Sequence, residues 1–142
     1  MKKMKRGLTI SILCVLAVSA ILFIFQQREL AAKYNEAVSY AEKGDYEKAF
    51  ELMDKMGVYR DSEDKLQEYE NELNYQAAKE HYAAGEYDEA INLFGLLSLE
   101  GKGYKDSIEL QNEVGYKKAL ELEKNGKLTE ALAVFNSLTR YY

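Results

Sequence analysis

The chain has one histidine, His81, and one cysteine, Cys14. Imidazole and thiolate are the side chains that most often move protons, attack electrophiles or bind metals near neutral pH. A single copy of each excludes a multi-histidine metal site, a cysteine-rich zinc site and an intrachain disulfide. Carboxylates are abundant, as in Glu63-Asp64 and Glu68-Tyr69-Glu70. On acidic helices they read as N-terminal helix charge and solvated faces. No segment joins clustered oxygen ligands to a glycine turn in the manner of a calcium loop. There is no nucleophile elbow, no glycine-rich phosphate loop and no histidine zinc motif. These residues predict no catalytic site, no cofactor and no metal, so the chain is not expected to be an enzyme.

The elements that must position any site follow from composition. The chain has 142 residues and no proline, where average usage would give roughly seven. Long helices are therefore expected, and loop-rich or polyproline architecture is not. The formal net charge is -5, but it is unevenly placed. Lys2, Lys3, Lys5 and Arg6 precede an uncharged run from Leu8 to Phe25, and residues 26–142 carry 15 basic and 24 acidic side chains, a net of -9. An acidic body argues against nucleic acid as a partner.

The 18 residues from Leu8 to Phe25 would make a helix about 27 Å long, close to the hydrocarbon thickness of a bilayer. Val18-Ser19-Ala20 resembles a signal cleavage site, but the apolar run continues through Ile21-Leu22-Phe23-Ile24-Phe25. The expected reading is an uncleaved anchor over residues 8–27, with lipid as partner through residues 8–25; a secreted form after cleavage is the alternative. Cys14 follows Ile12-Leu13, not small residues, and reads as an apolar filler. Residues 1–7 form a basic tail placed in the cytoplasm by the positive-inside rule. The remainder, residues 28–142, then lies outside the cell membrane, and the pattern is compatible with a bacterial origin.

That remainder contains three related units. Gly44, Gly85 and Gly126 are spaced 41 residues apart, as are Tyr34, Tyr75 and Tyr116, and Ala49, Ala90 and Ala131. Tyr40, His81 and Leu122 share one position, so His81 reads as a packing or groove residue. A period in this range marks a stacked array of supersecondary units. Each unit reads as a helical hairpin in which the glycine ends the first helix in the left-handed conformation. Tyr59-Arg-Asp-Ser62 recurs as Tyr104-Lys-Asp-Ser107, and its Asp or Ser is expected to cap the next helix. Leu66, Tyr69, Leu73 and Ala77 are expected to form the buried face of the helix over 62–84. Four extra residues at Leu99 to Gly103 lengthen the second unit before its motif. The units run over about 30–61, 62–106 and 107–142. Gln26 to Lys33 holds good helix formers, so the anchor is expected to continue into the first repeat helix.

The tyrosine-alanine first helix followed by Gly-x-Tyr-x-x-Ala resembles the tetratricopeptide repeat over about residues 30–142. The sequence departs from that family in its longer period and in lacking the proline after the second helix. With the anchor read above, the resemblance implies an all-α fold: an N-terminal transmembrane helix followed by a short right-handed α-solenoid of three hairpins. It also implies a concave protein- or peptide-binding groove lined by the first helices, with Asn35, Val38, Gln76, Lys79, Tyr82, Lys117 and Leu120 as candidate contacts. The expected function is a membrane-anchored protein-interaction scaffold; a structural, self-associating envelope protein is the alternative. By register Tyr141 matches Tyr59, which predicts a following Asp-Ser and capping helix. Either the product is truncated there, or the uncapped end of the third unit meets a partner or another copy, with self-association a further expectation.

Overall fold

The computed structural model describes residues 2–98 and 103–138, with side chains from Leu13 onward. The basic side chains of the N-terminal tail, most of the 99–103 insertion and Tyr141-Tyr142 lie outside the described residues. Among the described residues there are six α-helices and no strand. They are α1 (Lys2–Glu42), α2 (Tyr46–Met56), α3 (Ser62–Ala84), α4 (Tyr87–Leu96), α5 (Ser107–Lys124) and α6 (Leu128–Ser137). The chain divides into two compact units, Met1–Leu66 and Gln67–Tyr142, and the division falls inside α3.

The hairpin turns have a local cause. Gly44, Gly85 and Gly126 have φ of 83°, 80° and 76°, where a side chain would be strained. At the first turn the Gly44 N–H donates to the Ala41 carbonyl at 2.9 Å and the Asp45 N–H to the Tyr40 carbonyl at 3.0 Å. Gly85 and Gly126 repeat the pattern, with Glu86 donating to His81 and Lys127 to Leu122. This paired return of N–H groups satisfies carbonyls that a helix end leaves open. Asp45 also caps α2, its carboxylate accepting from the Lys48 N–H at 3.3 Å.

In the first unit α2 packs along α1. Ala37 and Ala49 are fully buried and Met53 nearly so, which is what close helix approach through small residues requires. The N-terminal half of α1 is different. Leu13 to Phe25 is exposed throughout, and Leu13–Glu42 includes a stretch long and apolar enough to cross a membrane, none of it buried. The Ser19 hydroxyl donates back to the Val15 carbonyl at 2.9 Å, so this stretch hides its hydroxyl within its own helix.

In the second unit Tyr75 and Ala78 of α3, Ala90 and Phe94 of α4, Leu97 at the C-cap of α4 and Val114 of α5 form one core. The buried face of α3 is turned from the expected one. Tyr69 is buried, but Leu66, Leu73 and Ala77 are only half-buried, while Glu72, Tyr75 and Ala78 are buried. An acidic residue therefore occupies a position that apolar periodicity could not assign.

Candidate functional site

The recurring Tyr-basic-Asp-Ser sequence builds a similar clasp in each of the two compact units. In the first, the Tyr34 hydroxyl donates to Asp61 Oδ1 at 2.6 Å, and the rings of Tyr34 and Tyr59 meet edge to face at 6.0 Å. Arg60 has φ of 52°, and its guanidinium lies 5.1 Å from the centres of both rings. The Ser62 hydroxyl accepts from the Tyr59 N–H at 2.9 Å and donates to the Gly57 carbonyl at 2.8 Å.

In the second unit the Tyr75 hydroxyl donates to Asp106 Oδ1, again at 2.6 Å, and Tyr75 and Tyr104 meet edge to face at 6.1 Å. Lys105 repeats the φ of 52°, with its ammonium 4.7 Å from the Tyr75 ring and 5.3 Å from the Tyr104 ring. Ser107 is fully buried, against the hydroxyl of Ser98 and the Leu97 carbonyl. The expected capping role does not hold for Asp106. It stands at the N-cap of α5 but makes no side-chain cap bond, because its carboxylate is turned to Tyr75.

These contacts set the electrostatics. Tyr34's hydrogen bond is the main cause holding the Asp61 carboxyl below the usual range. The hydrogen bond to Asp106, then burial, pushes the Tyr75 hydroxyl up to about 12. Beside it, Glu72 accepts from the Tyr104 hydroxyl at 2.7 Å, from Lys105 and, weakly, from Gln76 at 3.4 Å. Burial pushes the Glu72 carboxyl up, but the bonds from Lys105 and Tyr104 outweigh it and hold the group below its ordinary value. This network is a fixed part of the packing, with cation, carboxylate and phenols all satisfied.

The seven candidate groove residues fall in both units. Asn35 is exposed and Val38 half-buried on α1. In the second unit Gln76 is tied to Glu72, and Lys79 lies 5.4 Å from the Tyr75 ring. Only Tyr82 and Lys117 are brought together, across α3 and α5. The Tyr82 hydroxyl donates to Glu113 Oε1 at 2.7 Å, and the Lys117 ammonium stands 5.3 Å from the Tyr82 ring. Burial, then Glu113, pushes the Tyr82 hydroxyl up, and the hydrogen bond with Tyr82 raises Lys117. Leu120 is exposed one turn further along α5. The result is one exposed leucine beside a tyrosine, a carboxylate and an ammonium that contact one another. Periodicity and resemblance did not single out Glu113, since it is one acid among 24 acidic residues.

His81 lies on α3, its Nδ1 2.5 Å from Glu86 Oε2 across the turn at Gly85. Among the described residues no cluster of histidine, cysteine, aspartate or glutamate could hold a metal ion.

Compared with known families, residues 38–59 match the PPR repeat, a helical repeat similar to the tetratricopeptide repeat. The match covers the end of α1, the Gly44 turn, α2 and the loop after it. No curated protein and no solved structure matches the chain. The chain thus contains a helical repeat module of a kind that generally mediates protein or RNA interaction.

Proposed function

We propose that the chain is a single-pass membrane protein whose helical repeats, of tetratricopeptide-like form with a 41-residue period, present a protein-binding surface outside the membrane. The observation that carries the reading is α1. One uninterrupted helix runs from Lys2 to Glu42, with an exposed apolar stretch from Leu13 to Phe25 and a C-terminal part packed against α2. An apolar surface of that size is unfavourable in water and favourable in lipid. The helix supplies its own backbone hydrogen bonds, as a bilayer demands. The basic residues before it favour a cytoplasmic N-terminus. Residues 28–142 then form the repeat region, with Tyr82, Lys117 and Leu120 at the binding surface.

RNA is the second reading, because the matching repeat belongs to a kind that typically binds it. Charge weighs against it here. Residues 26–142 carry a net of -9, and a phosphate backbone is drawn by unpaired cations. Lys105, Lys117 and Lys118 each face a carboxylate, on Glu72, Glu113 and Asp88.

Membrane fractionation with protease shaving tests the reading. The chain should resist alkaline extraction, and protease added from the outer side should digest residues 28–142. Recovery in the soluble fraction, or protection of the repeats from the outer side, contradicts it.

A further inference from the structure

We propose that the loop Gly57–Arg60 rests on the bilayer surface and inserts Val58 among the lipid headgroups, a second contact beside the anchor; this rests on the membrane reading above. Val58 is 81% exposed, more than any other large hydrophobic residue among those described, including the apolar residues of α1 at 52–64%. Isolated exposed apolar residues are ordinary. The position of this one is what matters.

The turn at Gly44 reverses the chain, so α2 runs back along α1 toward the apolar segment. The loop after α2 is then fixed in height by the clasp, through Tyr34 to Asp61 and Arg60 over the Tyr34 ring. Tyr34 lies nine residues beyond Phe25, a rise of about 14 Å along the helix. A helical side chain leans toward the N-terminus, so the Tyr34 hydroxyl reaches back toward Phe25. This sets the loop within about 10 Å of Phe25, where the apolar run ends, at the outer margin of the headgroup layer. The headgroup layer is about 5–8 Å deep on each side of the hydrocarbon. An unbroken helix carries no linker that would let the loop drift from this height.

Lys33 is paired with Glu29 at 2.7 Å, and with Glu36 and Asp61 the acids match Arg28, Lys33 and Arg60 in number at this level, so the contact is that of an apolar side chain with lipid and not of a basic patch with anionic headgroups. Because α1 already holds the loop at the surface, the second contact forms at high effective concentration.

The full chain contains no tryptophan, so single tryptophans report depth. Leu16→Trp, Val58→Trp and Lys43→Trp are reconstituted in phosphatidylcholine vesicles carrying bromines near the headgroup or deep in the acyl chains. Leu16→Trp should be quenched by deep bromines. Val58→Trp should lose about half its emission to shallow bromines and respond little to aqueous acrylamide, and Lys43→Trp should do the opposite. If Leu16→Trp is in lipid while Val58→Trp is as open to acrylamide as Lys43→Trp, the loop contact is overturned and the anchor stands. If Leu16→Trp is itself open to acrylamide, the membrane reading falls and this inference with it.

Discussion

The Tyr75 hydroxyl donates a 2.6 Å hydrogen bond to the Asp106 carboxylate, 31 residues away, and Tyr34 makes the same bond to Asp61 across 27. Each bond ties the first helix of a hairpin to the turn that starts the next helix. Bonds to a charged acceptor contribute more than neutral ones, about 1.5–3 kcal/mol net. Asp106 is exposed, so water offsets part of that when Tyr75 is removed. Tyr75→Phe and Asp106→Asn should each lower stability by about 1 kcal/mol, and the double variant should cost less than the sum. Chemical denaturation of the detergent-solubilised chain gives the cycle, and strict additivity would show that the bond is not a functional pair.

Alkaline titration isolates the same bond. The Tyr75 hydroxyl is raised to about 12, above an ordinary phenol at 10. The proton is therefore held more tightly in the folded state. The stabilisation is complete below pH 10 and declines as pH rises through about 12. Ultraviolet difference titration should show late-ionising tyrosines, Tyr82 among them, and the one that ionises near 12 should disappear in Tyr75→Phe. Its persistence in that variant would assign the late phenol elsewhere.

Glu72 predicts the acid limb. Its carboxyl is held below 4.5, so its contribution is present above that pH and is lost as pH falls through the folded value. Glu72→Gln should flatten the acid dependence of stability and cost about 1–2 kcal/mol at neutral pH, because Lys105 and Tyr104 lose a charged partner while Lys105 remains partly solvated. Equal acid dependence in the variant and the parent would remove Glu72 from the account.

The Gly85 turn predicts a backbone cost. Gly85→Ala forces a side chain into φ of 80°, although no neighbouring atom lies within 4 Å of the added carbon. The loss is conformational and should be about 1–2 kcal/mol. Ala84→Gly one residue earlier, at the helix end, should cost less, and thermal unfolding compares the two.

The turns were legible in the sequence because their cause is local: glycine is the residue that accepts the left-handed conformation without strain. The long α1 was legible for the same reason, from uninterrupted helix formers between Phe25 and Lys33. The clasp was visible as a recurring motif, but its work was not. Capping rules weigh neighbours three residues apart, and the partners of Asp61 and Asp106 lie on another helix. The available signal was the shared register: Tyr34 and Tyr75 occupy one repeat position, and each precedes a Tyr-basic-Asp-Ser motif, by 27 residues to its Asp in the first case and 31 in the second. Glu72 and Glu113 left no mark because polar periodicity cannot tell a carboxylate that meets a lysine and a tyrosine from one that meets water. Of the candidate groove positions, Tyr82 and Lys117 meet through packing between helices, which no single-helix pattern contains.

As proposed, the membrane-anchored repeat binds a protein through the α3–α5 edge. The most direct measurement is site-specific photocrosslinking from position 120 in intact membranes, read by mass spectrometry, with and without Lys117→Ala. One discrete non-self protein should be captured, and several-fold less of it when Lys117 is replaced. Crosslinks only to other copies of the chain, or to RNA, would contradict it.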